Sequence, residues 1–119
     1  HCVTMEPIPT SAKFEFESVI KNLSQVNAGA VFAMPEKIAV THGCDKCSQT
    51  GYKGRLVIAE VLTVTNELRD LILNNASMVQ LIAAARKEGI ITMREDGFVK
   101  VAQGLTTLEE VYRVTNVTA

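Results

Sequence analysis

The sequence has no tryptophan and few other aromatic residues, and its charges are nearly balanced. Aromatic residues make up 5% of the chain. It has 12 Lys and Arg residues and 13 Asp and Glu residues, which gives a net charge of −1. Proteins that bind single-stranded nucleic acids usually offer aromatic stacking platforms, and duplex binders usually carry a basic stripe. We therefore expect no nucleic-acid partner.

Long hydrophobic runs are absent as well. No apolar stretch approaches the roughly 20 residues that a membrane-spanning helix needs. The first residues also lack the basic region and the apolar segment of a secretory signal peptide. We therefore predict that the chain does not insert directly into a membrane.

Cysteine is scarce, and its three copies are a poor basis for a set of disulfides. Cys44 and Cys47 form a C-x-x-C pair, and Cys2 lies near the start of the chain. Two thiolates with this spacing can bind one zinc ion from a tight turn, and a second pair from elsewhere completes a tetrahedron. The sequence therefore predicts that Cys2, Cys44 and Cys47 are ligands of a structural Zn²⁺ ion.

The fourth zinc ligand is left open by the sequence. If Cys2 ends a Cys-x-His-Cys pair, the other cysteine of that pair lies two residues before His1 in a longer parent sequence. His1 or His42 could take its place. Two other interpretations of Cys44 and Cys47 stay open, namely unpaired thiols and a redox pair. Redox C-x-x-C motifs usually cap a helix in a βαβ unit, which the sequence does not predict here.

The first half of the chain shows mixed periodicity. Two prolines predict a loop over residues 1–10, and apolar residues three and four apart predict a helix over 12–24. Short apolar runs at 31–34 and 38–40 predict a β-hairpin. The nearly continuous apolar run at 55–62 predicts a further strand.

The sequence pattern of the second half predicts helices throughout. Three motifs predict helix starts, because the first side chain of each can accept a hydrogen bond from a free backbone N–H: Ser77-x-x-Gln80, Thr92-x-x-Glu95 and Thr107-x-x-Glu110. The spacing of Gly97 predicts that a second helix can approach closely at this position. We therefore predict an α+β fold with two parts, a small zinc-knuckle β unit over residues 1–62 and a bundle of about four short helices over 63–119.

An ordered series of motifs resembles a known family. The cysteine turn is followed by a basic glycine turn and then by Glu60-Val61-Leu62. Further matches follow in order downstream: Ala85-x-x-x-Gly89-Ile90, Asp96-Gly97, Gly104-Leu105-Thr106-Thr107 and Glu110-Val111-x-Arg113-Val114. Over about residues 42–115 the chain resembles the cysteine-bearing C-terminal region of the assembly ATPases of type II secretion and type IV pilus systems. It departs from that family at Val57, where a glycine is usual, at Ala59, where an aromatic is usual, and over residues 10–40.

The resemblance implies a C-terminal fragment of a RecA-like P-loop ATPase. Such a parent is a cytoplasmic homo-hexamer that hydrolyses ATP with Mg²⁺ and acts on an inner-membrane platform protein, so that it is peripheral to that membrane through its partners. The chain has no Walker A motif, the loop that cradles the phosphates of ATP. We therefore expect its ATP and Mg²⁺ site in an upstream domain, no catalytic or nucleotide-binding residue in the chain itself, and no ATPase activity from the fragment alone.

Two alternatives remain at this point. One is a stand-alone zinc-ribbon module that binds another protein, and the other is a thiol redox protein that uses its C-x-x-C pair. The resemblance does not distinguish secretion from pilus assembly or DNA uptake, because the C-terminal motifs are shared.

Overall fold

The computed structural model describes residues 2–26 and 33–116, and within them it contains one two-stranded sheet and five α-helices. The elements follow in the order β1 (Val3–Pro7), α1 (Thr10–Val26), β2 (Lys37–Thr41), a 3₁₀ turn (Asp45–Cys47), α2 (Asn66–Leu73), α3 (Met78–Lys87), α4 (Met93–Ala102) and α5 (Leu108–Thr115). The predicted α+β class and the four helices of the second half are confirmed.

The sheet pairs the start of the chain with β2. β1 runs antiparallel to β2, with Val3 opposite Thr41 and Pro7 opposite Lys37. The prediction of a loop over residues 1–10 is therefore wrong. A proline lacks the N–H that continues a ladder, but it is tolerated at the end of an edge strand, where Pro7 lies.

Two other strand predictions fail in the described residues. The predicted run 31–34 lies partly outside the described residues, and residues 33–34 form no strand, so that β1 takes the place of the predicted hairpin partner. Residues 55–62 form neither strand nor helix. A strand needs a neighbour that satisfies its backbone N–H and C=O groups, and no neighbouring strand pairs with this run in the described part of the chain.

The core joins the two halves of the chain. The apolar face of α1, predicted from its periodicity, packs against α4 and α5, and the rings of Phe16 and Phe98 meet edge to face with centroids 4.6 Å apart. The buried members of this core are Ile8, Ala12, Phe16, Val19, Leu23, Ile38, Phe98, Val101, Leu108 and Val111. The halves therefore pack together as expected, while the division at residue 62 stays a prediction.

Helix α4 approaches α5 closely at Gly97. A Cβ atom at this position would lie 2.6 Å from Cγ1 of Val111, which is far inside van der Waals contact. A glycine is therefore required here for packing, as its spacing in the sequence predicted. The two helices contribute Phe98, Val101 and Val111 to the core beside this contact.

The helix starts form as predicted. Ser77 and Gln80 form a reciprocal capping box at α3, and Thr92 and Glu95 form another at α4. The hydroxyl of Thr107 accepts a hydrogen bond from the backbone N–H of the residue three positions later, at the start of α5. These contacts are local, which is why the sequence alone predicts them.

A buried ion pair at the start of α4 ties three helices together. Glu95 is 4% exposed, and its carboxylate accepts hydrogen bonds from the Arg86 guanidinium at 2.7 and 2.9 Å and from the Asn22 amide at 3.2 Å. Burial would raise the pKa of Glu95, but the bonds from Arg86, the Thr92 backbone N–H and Asn22 together lower it. The carboxylate is therefore ionised and fully partnered at neutral pH.

No described helix combines the length and the apolar character that crossing a bilayer requires.

Candidate metal centre

Strand pairing brings the three cysteines together. Cys2 directly precedes β1, and the backbone N–H of His42 donates to its carbonyl at 3.1 Å, so that Cys2 lies beside the end of β2. Cys44 and Cys47 follow β2 across a short 3₁₀ turn. The antiparallel pairing of β1 and β2 therefore places Cys2 beside two cysteines that are too distant in the sequence to belong to one local motif.

The sulfur positions suit a tetrahedral metal. Sγ of Cys47 lies 3.7 Å from Sγ of Cys2 and 3.6 Å from Sγ of Cys44, and all three sulfurs lie within 4.8 Å of one another. Zn–S bonds of about 2.3 Å in a tetrahedron place the sulfurs about 3.8 Å apart. A disulfide needs about 2.05 Å, so these are free thiols with metal-like spacing.

Backbone N–H groups point at Cys47. Its sulfur accepts hydrogen bonds from the N–H of Gly51 at 3.1 Å and from the N–H of Cys44 at 3.2 Å. Burial would raise the pKa of Cys47, but these bonds and the neighbouring thiols lower it to about 7. A thiolate is the form of cysteine that binds metal, so the turn favours the ligand state of this residue.

Thr41 is a supporting residue that the sequence reading missed. Its hydroxyl donates to the carbonyl of Gly51 at 3.2 Å and lies 3.8 Å from Sγ of Cys2. The Thr41 side chain also fills the space in which a Cβ of Gly51 would stand, and Gly51 has a φ of +78°. Only glycine fits at position 51, and the Thr41–Gly51 contact holds the cysteine turn against the end of β2.

His42 faces away from the sulfurs. Its Nε2 lies 3.1 Å from the hydroxyl of Thr4 and 3.5 Å from the carboxylate of Glu6. The alternative in which His42 completes the metal site is therefore not supported. His1, the other histidine candidate, lies outside the described residues. Within the described ranges, the centre has three donors, all of them thiols.

The surroundings of the pair differ from those of a redox motif. Cys44 and Cys47 flank a 3₁₀ turn after an antiparallel strand, whereas redox pairs usually start a helix inside a βαβ unit. Cys2 supplies a third sulfur, which a dithiol redox pair does not use. The three clustered thiols could therefore hold a metal ion.

The glycine turn after the cysteines connects the centre to α5. The phenol oxygen of Tyr52 lies 2.5 Å from the hydroxyl of Thr107, the N-cap residue of that helix. This contact couples the cysteine unit to the core-forming helices.

Comparisons with known proteins identify a family. The family model described as "Type II/IV secretion system protein" matches residues 16–113. The chain is 45% identical over 86 residues to the "Type IV pilus assembly ATPase TfpB" of Acinetobacter baylyi, a match that covers 72% of this chain. It is 49% identical over 69 residues to the "Type IV pilus assembly ATPase PilB" of Thermus thermophilus, which covers 58% of this chain.

A third relative belongs to a secretion system. The chain is 41% identical over 83 residues to the "Type II secretion system protein E" of Pseudomonas aeruginosa, a match that covers 70% of this chain. The matched parts make up 15%, 8% and 16% of the three relatives, respectively. The chain therefore spans about a sixth of the length of these relatives or less.

Proposed function

The chain belongs to the type II/IV secretion system protein family, and from this premise we propose that it is the zinc-stabilised C-terminal region of a hexameric motor ATPase. The parent powers type II secretion or type IV pilus assembly. The match of residues 16–113 to the family carries the proposal. The names of the relatives, which include pilus assembly ATPases and a type II secretion protein, support the activity of the parent.

In this proposal Cys2, Cys44 and Cys47 would hold the ion, and Thr41 and the backbone N–H of Gly51 orient two of the sulfurs. When bound, zinc would supply a redox-inactive link between the start of β1 and the turn after β2. Structural zinc can contribute on the order of 10 kcal/mol to the folding of a small unit.

ATP hydrolysis belongs to the rest of the parent. The chain lacks a Walker A loop, so ATP and Mg²⁺ are bound by a RecA-like P-loop domain upstream. The 119 residues by themselves are inactive and act in packing and subunit contacts. The parent assembles as a homo-hexamer in the cytoplasm and works at the inner membrane through a platform protein.

The experiment uses the full-length parent, with ATP turnover and bound metal measured on the same sample. We expect Mg²⁺-dependent ATP hydrolysis and about one zinc per protomer. The Cys44→Ser variant loses the zinc, whereas Ser48→Ala, the control in the same turn, keeps it. A parent without ATPase activity would contradict the motor assignment, and an active parent without stoichiometric zinc would contradict the metal assignment.

A further inference from the structure

The segment that carries Cys44 and Cys47, residues 42–56 and here called the cysteine loop, has no buried side chain. Two of its residues, Ser48 and Gln49, have left-handed φ angles of +54° and +63°, which residues with a Cβ adopt at a cost in free energy. Burial of apolar surface therefore does not hold this loop in place. Its order depends on polar contacts with neighbouring elements.

These polar contacts include one with β2 and one with α5. The Thr41 hydroxyl at the end of β2 donates to the carbonyl of Gly51 at 3.2 Å. The next residue, Tyr52, extends its phenol to the Thr107 hydroxyl, with the two oxygens 2.5 Å apart. Tyr52 is 37% exposed, whereas Thr107 is 7% exposed. The phenol therefore joins an exposed loop to a buried residue of the helical part.

Thr107 is also the N-cap residue of α5. Its hydroxyl oxygen accepts the Glu110 backbone N–H at 3.2 Å, and the helix that follows places Leu108 and Val111 in the core. A hydroxyl has one donor and two acceptor sites, so the Thr107 oxygen can bind the phenol and cap the helix at the same time. The bond with Tyr52 therefore holds the capping hydroxyl in its orientation.

We propose that Tyr52 is a positioning residue that links metal binding at the three cysteines to the start of α5. Gly51, the residue before it, donates its N–H to Sγ of Cys47 at 3.1 Å, so a fixed Tyr52 keeps this donor on the sulfur. The inference rests on the proposed function, which assigns a structural zinc ion to these thiols. It goes beyond that function by naming the helix that responds to the metal and the hydrogen bond that carries the response.

The link acts in both directions. Without the bond between Tyr52 and Thr107, the loop spends more time in conformations that do not hold its two cysteines beside Cys2. The apparent affinity for zinc then falls in proportion to the competent fraction that remains. By thermodynamic linkage, bound zinc stabilises the same hydrogen bond by the same factor. One net hydrogen bond corresponds to a factor of about five at 25 °C, which sets the expected size of both effects.

The zinc affinity of the full-length parent, measured by competition with a chelator, tests the link. We expect Tyr52→Phe, which keeps the ring and loses the hydroxyl, to bind Zn²⁺ about fivefold more weakly than the wild type. Tyr112→Phe is the matched control, because the Tyr112 hydroxyl donates to Glu15 and not to Thr107, and its affinity is expected to be unchanged. Equal affinities of Tyr52→Phe and the wild type would overturn the inference, as would an equal loss in both variants.

Variants of Thr107 separate the link from a local effect on the loop. Thr107→Val removes the hydroxyl on α5 at nearly constant volume, and we expect the same loss of zinc affinity, about fivefold. Thr107→Ser keeps the hydroxyl and is expected to keep the affinity. The double variant, Tyr52→Phe with Thr107→Val, is expected to bind no more weakly than either single variant, because both substitutions remove the same bond. Additive losses would show two independent effects and overturn the inference.

Amide hydrogen exchange of the zinc-loaded parent measures the opposite direction of the link. We expect the amides of Glu110 and Val111 to exchange about fivefold faster in Tyr52→Phe than in the wild type, because the cap at Thr107 is released more often. Equal exchange in a parent that binds stoichiometric zinc would overturn this inference and leave the proposed metal site standing. A parent that binds no zinc would overturn both.

Discussion

Two regions of this molecule differ in how completely they bury their apolar side chains. Helices α1, α4 and α5 enclose Phe16 and Phe98, which have no exposed surface. Helices α2 and α3 pack mainly on each other, and Met78 and Ile82 remain 70% and 55% exposed. The first region has the features of a closed core, whereas the second leaves large apolar side chains exposed to solvent.

The difference follows from the number of surfaces that surround each helix. Helix α4 contacts α1, α5 and β2, so that its apolar residues meet side chains on several sides. A helix pair without a third layer leaves its outer apolar stripes in water. The exposed apolar side chains of α2 and α3, such as Met78 and Ile82, therefore contribute little to the stability of these 119 residues by themselves.

Removal of the proposed zinc is expected to have the largest effect. Chelation takes away a link that can be worth on the order of 10 kcal/mol in small zinc units, and it frees the start of β1 from the turn after β2. Thermal unfolding followed by circular dichroism, with and without chelator, measures the loss, and added zinc restores it. An unchanged unfolding temperature after complete chelation would contradict the structural role of the metal.

Truncation inside the closed core comes next. Phe98→Ala is expected to lower the free energy of unfolding by about 3–5 kcal/mol, because it opens a cavity beside Phe16. Ile82→Ala on α3, at a half-exposed position, is expected to cost less than about 1 kcal/mol. Urea unfolding of the zinc-loaded chain measures the free energy of unfolding of the Phe98→Ala and Ile82→Ala variants. Equal losses would contradict the distinction between the regions, and a larger Ile82→Ala loss in the full-length parent would show that α3 is covered there.

The ion pair beside the core gives a pH-dependent effect. The folded state lowers the pKa of Glu95 below its value of about 4.3 in unfolded chains, so its stabilising contribution is present above that pH and is lost as the pH falls through the folded pKa. Glu95→Gln is expected to cost about 1–3 kcal/mol at pH 7 and less in acid. Glu109→Gln, on an exposed part of α5, is the control. A cost for Glu95→Gln that is the same at pH 7 and pH 3 would contradict this role.

The smallest expected effect is at the N-cap of α3, in the less buried of the two regions. Ser77→Ala removes the hydroxyl that accepts the Gln80 backbone N–H, and it is expected to cost about 1 kcal/mol. Ser77→Asn, which can also accept this bond, is the matched control. The free energy of unfolding by urea measures both, and no difference between them would show that the cap does not stabilise α3.

The accuracy of the sequence predictions depends on the range of the contacts involved. The caps at Ser77 and Thr92 rest on contacts three residues apart, and the amphipathic face of α1 rests on a repeat within one helix, so both were predicted correctly. The strand at Val3–Pro7 was missed, because its existence depends on β2, more than 30 residues further along the chain. The strand predicted at 55–62 failed for the same reason, since a suitable composition does not supply a neighbour.

The sequence by itself determined the helices of the second half, the three thiols and the resemblance that the family match confirmed. These properties depend on residue type and on spacing over a few positions. Tertiary structure alone decided that Cys2 reaches Cys47, that His42 faces Glu6 instead of the sulfurs, and that Arg86 and Asn22 meet at Glu95. Each of these contacts joins residues that are far apart in the sequence. Their distance in space depends on how whole helices and strands pack together, and local sequence patterns do not specify that packing.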